Sequence, residues 1–198
     1  MAQVRSVNLG AFEPNLARRG HPPTGFHKTP VPHAEVRAPG PRVGGLGSGL
    51  VGDVIGEPRY HGGDLQAVYA VAREELDAWG DRIGRELPDG AFAENLTTTG
   101  VDVDAGRIGD RWSVGADLVL EVTGPRVPCG TFAKRMGVPG WTRKFTLVGR
   151  SGAYLRVVVG GTVRPGDRIV VAGNPEGRLL TEVFRELMGL DPVIPLTE

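Results

Sequence analysis

The stretch DLVLEVTGPRVPCG, residues 117–130, decides the fold. Leu118, Leu120 and Val122 alternate with Val119, Glu121 and Thr123, the period-two pattern of a strand with one buried face. Gly124 and Pro125 are expected to end that strand, because proline has no backbone N–H to give to a ladder. Cys129, the only cysteine in the chain, then leaves the sheet on a short loop stiffened by Pro128 and preceded by Arg126. A guanidinium nearby lowers a cysteine pKa, so this loop can present a thiolate. A free cysteine can equally serve as a small buried hydrophobe. The stretch alone leaves both readings open.

Outward from it, 31 glycines and 16 prolines in 198 residues predict many short strands rather than a helical bundle. The formal net charge is zero with acids and bases scattered, so neither nucleic acid nor a membrane surface is an expected partner. A single cysteine cannot make an intrachain disulfide, which suits a reducing cytosol, and a cytoplasmic location is expected. No apolar run approaches the roughly 20 residues that span a bilayer. MAQVRSVNLG lacks the apolar stretch of a signal peptide. Only Lys28, Lys134 and Lys144 are lysines.

Upstream, the pattern predicts a strand over Gln3–Leu9, a loop over Gly10–Pro30, a strand over Val31–Arg37 and another over Gly49–Ile55. TGFHK in the loop offers backbone donors beside Lys28, which fits either a phosphate cradle or an ordinary solvated loop. PGPRVGGLGSGLVGD carries no Gly-Lys-Ser/Thr ending, so it is not a phosphate-binding loop of the nucleotide kind. Ala67–Val71 reads as a buried strand and Arg73–Leu87 as a helix, with Leu76, Trp79, Ile83 and Leu87 on one face and Pro88 and Gly90 as its stop. His61-Gly62-Gly63 lets a backbone approach a ligand closely, or marks a turn. Glu94 and Asn95 stand at a strand entrance, as turn chemistry or as cofactor contacts. Asp102 and Asp104 lack the closing glutamate of a calcium loop.

Downstream, Thr131–Met136 and Trp141–Val148 read as short helices, Trp112–Val114, Ala153–Val159 and Asp167–Ala172 as strands, and Glu176–Met188 as an amphipathic helix lying across the sheet or against a second subunit. No internal repeat or domain boundary stands out.

SVNLG, TGFHKTPV, GD (Gly52-Asp53) followed by YHGGDLQAVYA, FAENLTTTG, IGDRW, GPRVPC and GRSGAYLRVVVGGTVRPGD follow one another in an order that resembles a stand-alone MOSC domain, named for the C-terminal domain of molybdenum cofactor sulfurases. The chain is most similar to short bacterial members that include hydroxylaminopurine reductases. Two positions depart from the family pattern: Tyr60 precedes His61 where a second histidine is common, and Leu65-Gln66 interrupts an Asp-Arg-Ala-Val run. The resemblance implies a mixed α/β, strand-dominated fold, a MOSC-type β-barrel with peripheral helices, in one domain over 1–198. Its core would run over about 3–172, with 173–198 a helical extension.

The resemblance further implies the molybdenum cofactor, a molybdenum held by a pyranopterin dithiolene and by Cys129. Arg126 and His61 are the implied catalytic pair. Glu94, Asn95, Arg150 and Tyr154 are implied pocket residues for the cofactor, with Lys28 on its phosphate. The expected function is reduction of N-hydroxylated compounds to amines. No iron–sulfur cysteine set or flavin fingerprint is present, so a separate reductase is the expected electron donor. A non-catalytic cofactor carrier is the alternative. A monomer or homodimer is expected.

Overall fold

In the computed structural model, which describes residues 1–15, 17, 20 and 22–190, the opening stretch becomes the long strand β7 and its neighbours organise around it. Among the described residues ten strands form: β1 (Gln3–Gly10), β2 (Lys28–Val31), β3 (Ala34–Val36), β4 (Val68–Ala72), β5 (Leu96–Thr99), β6 (Arg111–Val114), β7 (Leu118–Pro125), β8 (Ala153–Val159), β9 (Gly161–Val163) and β10 (Ile169–Ala172). Four helices accompany them: α1 (Arg73–Ile83), α2 (Gly130–Met136), α3 (Trp141–Val148) and α4 (Leu180–Leu187). Residues 16, 18, 19 and 21 of the expected loop, and 191–198 of the expected extension, lie outside the described residues.

Eight strands form one sheet in the order β10-β6-β7-β8-β4-β5-β1-β2, while β3 and β9 pair separately. Only β4 and β5 run parallel, joined through α1 as a crossover requires. The sheet does not close into the expected barrel: its ladder ends at β10 and β2. It curls far enough for Val4 to donate to the Asp167 carbonyl and Ile169 to that of Ala2, but only one bridge, Gln3 to Arg168, links the two limbs.

Leu118, Leu120 and Val122 are buried as their alternation predicts, in a cluster with Val4, Val68 and Leu155. A second cluster is aromatic, with Trp79, Phe92, Phe132, Trp141, Phe145 and Phe184 filling the space under the helices. Fully burying such side chains stabilises by roughly 1.5–3 kcal/mol each. Helix α4 packs on its own chain, with Phe184 6.2 Å from Phe145.

Several expected boundaries move. β7 runs on through Gly124 and Pro125, because a register shift between Val122 and Gly124 lets Pro125 face Ala153. β2 takes Lys28–Pro30 from the expected loop and ends at Val31, while the rest of the expected strand forms only β3, in a different sheet, after the break at Pro32. Gly49–Ile55 is not a strand: Asp53 is turned inward by hydrogen bonds, leaving one bridge, Val36 to Leu50. The helix from Arg73 stops at Ile83, where Gly84 takes φ 69° and its N–H caps Gly80. Helix α4 begins later than expected, because the Leu180 N–H is committed to the Gly106 carbonyl.

Candidate active site

Cys129 stands where β7 ends and α2 begins. Helix α2 is pinned by Phe132, which lies 5.2 Å from Trp141 and 5.1 Å from Phe145 in edge contacts. Those contacts fix the residue at its start. The thiol lines a cavity of about 900 Å³ together with His61, Arg126, Lys28, Asn95 and Tyr154. Burial pushes the Cys129 thiol up, but the His61 side chain in hydrogen-bonding reach, the Arg126 charge and the Phe132 N–H outweigh it and bring the pKa to about 6.

Arg126 is only 5% exposed. Its guanidinium sits 4.6 Å from the Phe132 ring centre, 4.9 Å from Tyr69 and 5.4 Å from Phe26. Its Nη1 donates to the Phe92 carbonyl at 2.6 Å, and its Nε has no hydrogen-bond partner. Among the described residues no carboxylate forms an ion pair with it. Three aromatic faces and the Cys129 thiolate offset part of the cost of burying a guanidinium that no carboxylate among the described residues balances. The site is built to receive negative charge.

The Phe92 carbonyl is itself held in place by a strained loop. Ala93 has φ 64°, the left-handed region that an alanine rarely occupies. Glu94 stabilises the loop by accepting from the backbone N–H of Gly90 (2.5 Å) and Phe92 (2.9 Å) and from Thr97 Oγ1 (2.8 Å). Glu94 is therefore a buried brace and not part of the cavity wall. Asn95 does reach the wall, but its carbonyl accepts from Tyr69 N and its amide donates to Asp53 and Asn8.

Lys28 reaches the wall as well, with its ammonium 2.5 Å from Asp53 in a buried pair. Burial lowers the Lys28 pKa and Asp53 opposes that. Asp53 also receives Ser48 Oγ at 2.7 Å and Gly10 N at 2.7 Å, so it gathers one side of the cavity into a knot. A phosphate at Lys28 would have to share the ammonium with this carboxylate.

His61 faces the thiol, but the glycines after it serve the protein chain. A Cβ on Gly62 would lie 2.7 Å from the Gly47 carbonyl, and one on Gly63 2.7 Å from the Arg42 backbone. The close approach read from the sequence is to the loop around 40–47. Tyr154 lines the cavity beside Tyr69, ring centres 5.2 Å apart, and burial pushes its hydroxyl pKa up.

Arg150 lies elsewhere: it pairs with Glu75 at 2.6 Å and Asp102 at 2.6 Å and does not line the cavity. Asp53, Tyr69 and Ala93 fall inside the motif pieces, but the sequence assigns no specific role to them or to Ser48. An aspartate following glycine in an apolar segment was a usable signal for Asp53; the positive φ of Ala93 leaves none. Among the described residues no three His, Cys, Asp or Glu side chains converge on a metal position, so any metal here must bring most of its own ligands.

A MOSC domain family model matches residues 57–170. The uncharacterised protein YflK of Bacillus subtilis (strain 168) is 34% identical over 116 residues, covering 59% of this chain and 52% of that protein. A Gibberella moniliformis protein named reductase is 34% identical over 119 residues, covering 58% of this chain and 21% of that protein. The chain thus spans about half of one of these curated relatives and about a fifth of the other. The crystal structure of YiiM from Geobacillus stearothermophilus superposes with a TM-score of 0.72 at 25% identity, covering 94% of this chain and 84% of that one.

Proposed function

The chain belongs to the MOSC domain family, and from that premise we propose that it is a molybdenum-cofactor oxidoreductase reducing N-hydroxylated compounds to amines. The observation that carries this reading is the pairing of a low-pKa thiol, Cys129, with a buried cation that has no carboxylate, Arg126, on one cavity wall. A pyranopterin-bound molybdenum fits that donor set: thiolate is a soft ligand suited to a sulfur-ligated metal, and the pterin dithiolene supplies what the protein lacks. Bound there, the group would supply the two-electron redox change.

The balanced reaction is R–NHOH + 2e⁻ + 2H⁺ → R–NH₂ + H₂O. The N–O bond breaks, nitrogen keeps the amine, and oxygen leaves as water. The chain's own residues bind and protonate. Arg126 Nε, unpartnered, is positioned to hold the substrate oxygen as it gains negative charge. His61 can hand a proton to that oxygen, and the Tyr154 hydroxyl, on the same cavity, is a second donor. Lys28, sharing its charge with Asp53, and Asn95 line the same cavity and would hold the polar pterin and its phosphate. The electrons would come from a separate reductase.

Protein made in a molybdenum-replete host is expected to carry near-stoichiometric molybdenum and to turn over N-hydroxyadenine or benzamidoxime with dithionite-reduced viologen. Metal without turnover would favour a carrier role. Neither metal nor turnover would sink the proposal.

A further inference from the structure

The charges are not scattered where the site is. Between Glu121 and Asp167 every charged side chain is basic. The chain as a whole is neutral, so the remainder carries the compensating acid excess. Some of these cations are committed: Arg126 is buried, Arg150 pairs with Glu75 and Asp102, and Arg156 pairs with Glu121. Those on α2 and α3 are not. Lys134, Arg135, Arg143 and Lys144 are all exposed, and of them only Arg135 has an ion-pair contact among the described residues, at 3.6 Å to Glu13. Arg85, in the turn after α1, is exposed as well, its Nη2 donating to the Met136 carbonyl at the end of α2, although Asp77, Glu86 and Asp89 lie around the same groove.

This basic face adjoins the cavity. Helix α2 starts immediately after Cys129, and at 1.5 Å per residue Lys134 lies only about 7 Å further along its axis. Lys134 lines the cavity mouth with Val127, which is exposed, and Leu147 is exposed on α3. Exposed cations and exposed aliphatic side chains on the same two helices and the loop before them, beside the candidate redox site, suit transient docking of a soluble carrier. The aromatic side chains of α2 and α3, Phe132, Trp141 and Phe145, are all buried, so the face offers no platform on which nucleic-acid bases could stack.

We propose that the α2–α3 face docks the electron donor, and that the donor is an acidic protein carrier of the flavodoxin or [2Fe–2S] ferredoxin type. This rests on the reductase reading of the same site. The carrier is the reductant: two reduced ferredoxins, or one flavin hydroquinone, give the two electrons that N–O cleavage consumes, and the protons come from water. Positive charge at the mouth steers the acidic carrier and favours short, salt-sensitive encounters.

The test uses the full chain and the double variant Arg143→Glu/Lys144→Glu, neither residue being part of the cavity wall. Binding of a plant-type ferredoxin and of a bacterial flavodoxin is measured by calorimetry in 20 and 200 mM salt. Cytochrome c, a basic carrier, serves as the sign control. Expected are binding of at least one acidic carrier, about tenfold weaker in the higher salt and about tenfold weaker in the variant, and none of cytochrome c. Equal binding by both proteins, or no binding of either acidic carrier, overturns the proposal. So does stronger binding of an oligonucleotide or of phosphatidylserine vesicles than of either carrier. In turnover, the variant should need about tenfold more carrier while keeping viologen-driven activity. If viologen-driven turnover is absent in both proteins the reductase reading fails, whereas the binding measurements still judge the face.

Discussion

Two arginines of the same motif set, Arg126 and Arg150, meet opposite surroundings. Arg126 is buried among three aromatic rings with one carbonyl to donate to and no carboxylate. Arg150 is 36% exposed at its side chain and is surrounded by acid, with Glu75 and Asp102 at 2.6 Å and Asp104 at 4.0 Å. The second arrangement is complete in itself, its charge balanced within the chain. The first has the Cys129 thiol as its acidic neighbour and leaves its Nε unpartnered for a ligand. Buried cations left unbalanced are costly, so one that persists beside a low-pKa thiol marks the place where a ligand supplies the missing charge.

The largest effect should come from removing the one anion the chain itself offers to Arg126. Cys129→Ser replaces a soft thiolate with a hard, protonated hydroxyl. Molybdenum per chain and reduction activity should both fall below detection, while far-ultraviolet circular dichroism stays that of the parent. Full metal content with full activity in the serine protein would mean that Cys129 is not the ligand.

Arg126→Gln should follow, with about a hundredfold loss in kcat/KM, the usual scale for losing one donor to a developing negative oxygen. The thermal midpoint should move little, since the cost of burying the guanidinium disappears together with its single hydrogen bond and ring contacts. Arg150→Met should do the reverse. Activity holds, and stability falls by about 2 kcal/mol in urea unfolding, a figure reduced from that of a fully buried pair because Arg150 is partly exposed. If Arg150→Met abolished activity at unchanged stability, the contrast between the two arginines would collapse.

The contrast also separates what the sequence could tell from what it could not. The alternation of Leu118, Leu120 and Val122 is a local signal, and the buried face of β7 follows it. The helical spacing from Leu76 to Ile83 is likewise local, and α1 forms there. Cys129, Arg126, His61, Lys28, Asn95 and Tyr154 were named from motif order and do meet in one cavity. Arg150 was named on the same grounds and does not. Its partners Glu75 and Asp102 lie far from it in sequence, and no local pattern predicts that pairing. The inward turn of Asp53 is of the same kind, since its donors come from Gly10, Lys28, Ser48 and Asn95. The unclosed sheet was hidden for a similar reason: strand patterning gives each strand's buried face but not whether its two edges meet.

The smallest effect lies beneath Arg150, at Asp104. Its Oδ1 accepts the N–H groups of Ser151 at 2.6 Å and Gly152 at 2.9 Å, and its Oδ2 is buried without a hydrogen-bond partner. Burial pushes the carboxyl up, and so does Glu75, while the Gly152 and Ser151 N–H groups and Arg150 hold it down. The pKa settles at about 6 instead of 3.8. A carboxyl whose pKa is higher folded than unfolded binds protons more tightly in the folded state. Its stabilising contribution is therefore fully present below pH 3.8 and is lost as pH rises through 6. Asp104→Asn keeps an acceptor for both N–H groups and removes the titration. Subtracting the variant's unfolding free energy from the parent's cancels the other carboxylates, and the difference should grow in the parent's favour by about 1 kcal/mol between pH 7 and pH 5. Urea unfolding followed by tryptophan fluorescence at those two pH values measures it. A difference that is flat, or that shrinks as the solution is acidified, would show that Asp104 is ionised in the folded protein throughout, and that the Arg150 cluster balances its charges more fully than this geometry implies.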